Sequence, residues 1–144
     1  MGDPLSVAGA AIGIAVPVFH ATRLLLDDVQ NIVDAPKAIA SLRDDLQSVD
    51  TAMKALKVIP AEQLESLGLE VVNESNSAIT ACDRSCEMFR ADLQCWAKNL
   101  GGGKLRLRDR VNIGFFKKQR IVSLSGQLQN CKMTLSTAAS VANL

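Results

Sequence analysis

Cys82 and Cys86, four residues apart, are the first side chains in this sequence whose type and spacing suit chemistry. Residues at that spacing share a helix face, and two thiolates there, joined by Cys95, Cys131 and His20, would make a zinc site. The pattern weighs against it. Zinc ligands usually come as closely spaced pairs on turns, and this chain has a single pair, within a helix. Cys82, Cys86 and Cys131 also fall on apolar stripes, where a thiol packs as a small hydrophobe. No metal site is assigned. Gly101-Gly102-Gly103-Lys104 suggests a phosphate loop, but that motif needs another glycine five residues upstream of its Gly-Lys and a Ser or Thr after it. Leu105 follows here. His20, the single histidine, has no carboxylate or nucleophile beside it for acid–base work. Neither catalytic residues nor a cofactor are assigned, and the chain reads as a non-enzyme.

Charge is the next signal. The net charge of +1 is unevenly spread. Residues 1–60 carry five basic and seven acidic side chains, residues 61–100 three and seven, and residues 101–144 eight and one. Lys104, Arg106, Arg108, Arg110, Lys117, Lys118 and Arg120 form a basic cluster that is a candidate for lipid headgroups, each such residue near an anionic surface being worth ~1 kcal/mol. Pairing with the acidic segment before it and plain solvation are the competing readings. Nucleic acid is not expected, because a stacking platform or a reading helix is missing.

The elements that position these residues are helices. Residues 4–22 hold no charged side chain, a run long enough to span a bilayer. It does not read as a secretion signal, since Asp3 stands where such a peptide needs positive charge. It reads as the first helix, residues 4–30, capped by Asp3 and kinked at Pro17, buried by its neighbours yet insertable. Together with the four cysteines, taken as reduced thiols, this places the chain in the cytoplasm.

A second helix, with Asp34 as cap and Pro36 behind it, carries the stripe Ile39, Leu42, Leu46, Val49, Met53, Leu56 and ends at Pro60. A short helix covers residues 61–67. After Gly68, a long third helix carries Val72, Ser75, Ile79, Cys82, Cys86, Phe89, Leu93, Trp96 and Leu100 at steps of three and four, a coiled-coil-like seam. The triple glycine is expected to stop it as a C-terminal cap. A last helix begins near Asp109, irregular around Gly114, with Ile121, Leu124, Leu128, Cys131, Leu135, Ala138 and Ala142 as its stripe. No clear strand alternation stands out. The fold expected is an all-α, antiparallel four-helix bundle with the apolar helix at its centre, one domain over residues 1–144.

The opening Asp3-Pro4-Leu5-Ser6-Val7-Ala8 resembles the N-terminal domain of fungal STAND proteins, the NOD-like receptors of fungi. Gly114-Phe115-Phe116, Ile121, Leu124, Gln127-Leu128, Lys132 and Thr134-Leu135 resemble that family's last helix. The resemblance implies a HeLo-like bundle, more distantly akin to the executioner domain of necroptosis and cut from a longer receptor. It also implies regulated cell death by clustering, with the first helix going to the membrane. Residues 5–26 would be the inserting segment, through Leu5, Val7, Ile12, Ile14, Val16, Val18, Phe19, Leu24, Leu25 and Leu26. The partners implied are further copies of the chain, anionic membrane lipids and a downstream signalling protein. The alternative is a non-lytic adaptor that binds proteins or its own kind.

Overall fold

The computed structural model describes residues 20–108 and 115–142. Within them lie α1 (His20–Gln30), α2 (Lys37–Lys57), a short α3 (Ala61–Ser66), α4 (Leu69–Trp96), a hairpin of β1 (Ala97–Gly101) and β2 (Lys104–Leu107), and α5 (Phe115–Ala142). The expected N-cap at Asp3, the kink at Pro17 and the insertion candidates Leu5, Val7, Ile12, Ile14, Val16, Val18 and Phe19 lie outside the described residues.

The four long helices form an all-α bundle. α1 packs on α2 and α4, and α5 packs on the same two, so the order around the bundle is α1, α2, α5, α4. Successive helices reverse direction. The connection from α2 to α4 runs through α3 and crosses the diagonal, which leaves two neighbouring pairs parallel. Thr22 lies beside Asp83 and Asp28 beside Arg90, which orients α1 along α4. Likewise Asp45 meets Ser125 and Ile59 packs on Ala142, which orients α2 along α5. α1 takes a corner of this ring and sends Thr22, Leu25 and Val29 inward.

Most of the stripes read from sequence form the core, with Leu56 and Trp96 only partly buried against it, Val72 outside it and Leu100 exposed. Ile39, Leu42, Leu46, Val49 and Met53 of α2 are buried, as are Ile79, Cys82, Cys86, Phe89 and Leu93 of α4. α5 buries Ile121, Leu124, Leu128, Cys131, Leu135, Ala138 and Ala142. These apolar faces share one centre, and their removal from water is the main favourable term in the fold.

Two local expectations are corrected. Asp34 does not cap α2: its φ is +55°, and the helix follows Pro36, whose extended backbone and missing N–H suit the boundary. The long helix stops at Trp96, not Leu100, because Ala97 is already extended. The chain then forms an antiparallel hairpin with Ala97 opposite Leu107 and Lys98 opposite Arg106. Gly102 and Gly103 both have positive φ, +63° and +81°, as a type I′ hairpin turn demands. The glycines are therefore the turn of a hairpin and not the cap of a helix.

Ala97 and Leu107 are buried on the inner face of the hairpin, and Leu105 packs partly against the core. β2 is also stitched to the α1–α2 loop: Leu105 N–H donates to Asn31 O at 3.0 Å, and Val33 N–H donates to Leu105 O at 2.7 Å. The hairpin thus closes the bundle end where α1 and α4 finish and α2 and α5 begin.

Candidate functional site

Two regions position the residues singled out above. The first is the seat of α1. Its start is held by a carboxylate from α4: Asp83 Oδ1 accepts the Thr22 N–H at 2.9 Å and the Thr22 hydroxyl at 3.1 Å. The first N–H groups of a helix have no partner of their own, so Asp83 acts as a tertiary cap. Burial pushes the Asp83 carboxyl above its usual value, and the Thr22 and Ala21 donors offset part of that. The far end is held by Arg90, whose Nε donates to Asp28 at 2.7 Å. Between the clamps Leu25 is fully buried, while Leu24 and Leu26 are half-buried. Of the insertion candidates, those described are therefore packed on the bundle. Among the described residues no helix is long and apolar enough to cross a membrane.

Below this seat lies the thiol cluster. Cys82, Cys86 and Cys131 are free and buried. The neighbouring Cys131 thiol, and burial with it, pushes Cys82 up to about 12, and Cys82 together with burial pushes Cys86 up as well. Thiols held in the protonated state are poor nucleophiles and poor ligands. They fill the core. Cys95 is exposed on α4, apart from them, and His20 is exposed at the first turn of α1. A cleft between α4 and α5, bordered by Met88, Asp92 and Arg120, measures about 120 Å³, well below the ~300 Å³ at which small-molecule sites begin.

The second region is the hairpin. Lys104, Arg106 and Arg108 project from it, all exposed. They are joined by Lys98, which was not singled out in the sequence because a lone lysine on a helix is unremarkable. In the hairpin register it stands directly opposite Arg106. Among the described residues none of these four cations makes an ion pair. The remaining members of the expected cluster divide. Arg120 donates its Nε–H to Asp92 at 2.9 Å and so ties α5 to α4. Lys117 sits over the Trp96 ring at 5.5 Å. Lys118 is exposed, and Arg110 lies outside the described residues. The competing reading of basic residues pairing with the acidic segment thus holds for Arg120 and not for the hairpin.

With this geometry in hand, comparison with known proteins places the chain. A family model described as pigment biosynthesis cluster protein PigL N-terminal matches residues 2–144. The chain belongs to that family, which is related to the HeLo-like N-terminal domains of fungal proteins. Comparison with curated proteins and with solved structures gave no match.

Proposed function

We propose that this PigL N-terminal family domain is an effector or signalling domain of the fungal NOD-like receptor type, inducing regulated cell death when copies cluster and the first helix is delivered to a membrane. The observation that carries the reading is that the seat of α1 is self-contained: it rests on three buried side chains, Thr22, Leu25 and Val29, and on the Asp83 and Arg90 clamps. Burial of Leu25 and Val29 stabilises the docked state by about 4 kcal/mol. Once α1 leaves, α2, α4 and α5 still share the rest of the core. Clustering offsets such a cost by supplying new helix neighbours and many simultaneous contacts.

Geometry allows the sequence of events. α1 starts opposite Asp83, thirteen residues before the end of α4, about 20 Å along the axis from the hairpin. The nineteen residues ahead of α1 reach up to ~65 Å when extended. A bundle resting on its hairpin end therefore has chain enough to bring the apolar opening to the same surface. The test is dye release from liposomes by the full chain fused to an inducible oligomeriser, compared with the same fusion lacking residues 1–19. Leakage confined to the longer protein is expected, and equal leakage from both would eliminate insertion.

One observation favours the adaptor as a second reading. From Ile121 to Ala142, α5 carries a single charged residue, Lys132, and its outer face exposes Val122 and Met133 by 70% and 69%. An uncharged, partly apolar helix face suits a protein partner. On that reading Val122→Glu with Met133→Glu stops signalling while liposomes are untouched.

A further inference from the structure

The outward face of the hairpin has a charge arrangement that the fold does not need. Like charges directly opposite across an antiparallel pair destabilise it, and Lys98 opposite Arg106 is such a pair. Lys104 and Arg108 extend the same field at either end of β2, and no carboxylate among the described residues bridges any of them. The seat of the hairpin comes from Ala97, Leu105, Leu107 and the two backbone bonds to Asn31 and Val33, to which the cations contribute nothing.

We infer that this hairpin is a peripheral docking surface for an anionic lipid bilayer, which deepens the membrane reading above and rests on it. Three observations favour a bilayer. The register slips by one residue between Asn99 and Gly101, so Leu100 is the bulged position. It is 43% exposed beside a turn of bare glycine. An apolar tip flanked by cations fits the headgroup boundary, where buried apolar area and attraction to anionic lipid add. The ring that a nucleic acid would stack on is already engaged: Trp96 packs edge-on to Phe89 at 5.5 Å and lies under Lys117. Thirdly, at the opposite end α3 and the first turns of α4 hold four glutamates against Lys54 and Lys57 in the last turn of α2, so an anionic surface attracts the hairpin more than the far end.

The experiment is vesicle co-sedimentation of the full chain with phosphatidylcholine alone and with phosphatidylcholine containing phosphatidylserine, at low and at physiological salt. Binding to the serine-lipid vesicles only, weakening as salt rises, is expected. Lys98→Glu is the decisive variant, because it exchanges the like-charge pair for an opposite-charge one. Its melting temperature should rise while its vesicle binding falls at least tenfold, a combination that misfolding does not produce. Lys98→Glu with Arg106→Glu should abolish binding with helix content unchanged by circular dichroism, and Lys132→Glu on α5 should leave binding as it was. Equal binding to neutral vesicles, binding insensitive to Lys98→Glu, or equal loss with Lys132→Glu would overturn the inference. So would tighter capture of single-stranded RNA than of vesicles, or hairpin-dependent association of copies without any lipid binding. Dye release recorded on the same vesicles separates the two proposals. Binding without release under forced clustering sinks insertion and leaves the docking surface standing. Release that survives the double reversal sinks the docking surface alone.

Discussion

The α3–α4 segment and the hairpin, at opposite ends of the bundle, carry opposite charge for different physical reasons. At the acidic end, Glu62 and Glu70 sit in the first turns of α3 and α4, where negative charge meets the positive end of the helix dipole. Glu74 follows Glu70 on a solvated stretch of α4. Local helix physics is enough to account for that end. At the basic end, two cations face each other across a strand pair, an arrangement that lowers the stability of the hairpin. Charge that helps a fold needs no further explanation, whereas charge that strains one points to something outside the molecule.

The contrast can be broken or sharpened by asking which charged groups are structural. The largest effect belongs to Asp83, the clamp between the two ends. Asp83→Ala leaves the Thr22 N–H and hydroxyl buried without an acceptor and should cost about 3 kcal/mol in urea denaturation. Asp83→Asn keeps an acceptor and should match or exceed the parent at neutral pH. The sign follows from the raised carboxyl. A group titrating higher in the folded state gives its full stabilisation below the unfolded value and loses it as pH rises through the folded one. The stability of the parent relative to Asp83→Asn should therefore fall from pH 3.8 upward and level off above the folded value. A difference that grew with pH would mean the carboxylate is better served in the folded chain than burial implies.

Next in size is the comparison of Arg120 with Arg108. Arg120→Ala removes a half-buried pair with Asp92 and should lower stability by about 1 kcal/mol, while Arg108→Ala should change it by less than about 0.5 kcal/mol. Equal losses would mean that the hairpin cations are structural after all. At the acidic end, Glu70→Gln should cost about 0.5 kcal/mol, less in high salt, as a helix-dipole contact does. The smallest effect is chemical. In the native protein a thiol reagent should label Cys95 rapidly and leave Cys82, Cys86 and Cys131 untouched until unfolding.

The helical core was legible in the sequence because each stripe repeats over many turns, from Ile39 to Met53, Val72 to Leu93 and Ile121 to Ala142. The hairpin was not, although Lys104-Leu105-Arg106-Leu107-Arg108 alternates strictly and the glycines supply a turn. The step from Trp96 to Leu100 keeps the helical period, and so it concealed the switch to period two. Lys98 gained its meaning only from register. The pairing of Asp92 with Arg120, 28 residues apart, and the capping of α1 by Asp83, 61 residues from Thr22, depend on tertiary contacts that no local spacing announces. The diagonal crossing escaped for a related reason. Short connections suggest adjacent neighbours, and α3 uses its single turn and a half to step across.

The stitch between Leu105 and the Asn31–Val33 backbone sets a load path through the molecule. Force applied at the glycine tip passes along β2 and reaches the root of α1 before it reaches α2. Landing gear and boom are hinged on one pin: whatever presses on the hairpin also tugs the peptide groups about which α1 would pivot. Amide exchange at Val33 and Leu105 would register that tension directly.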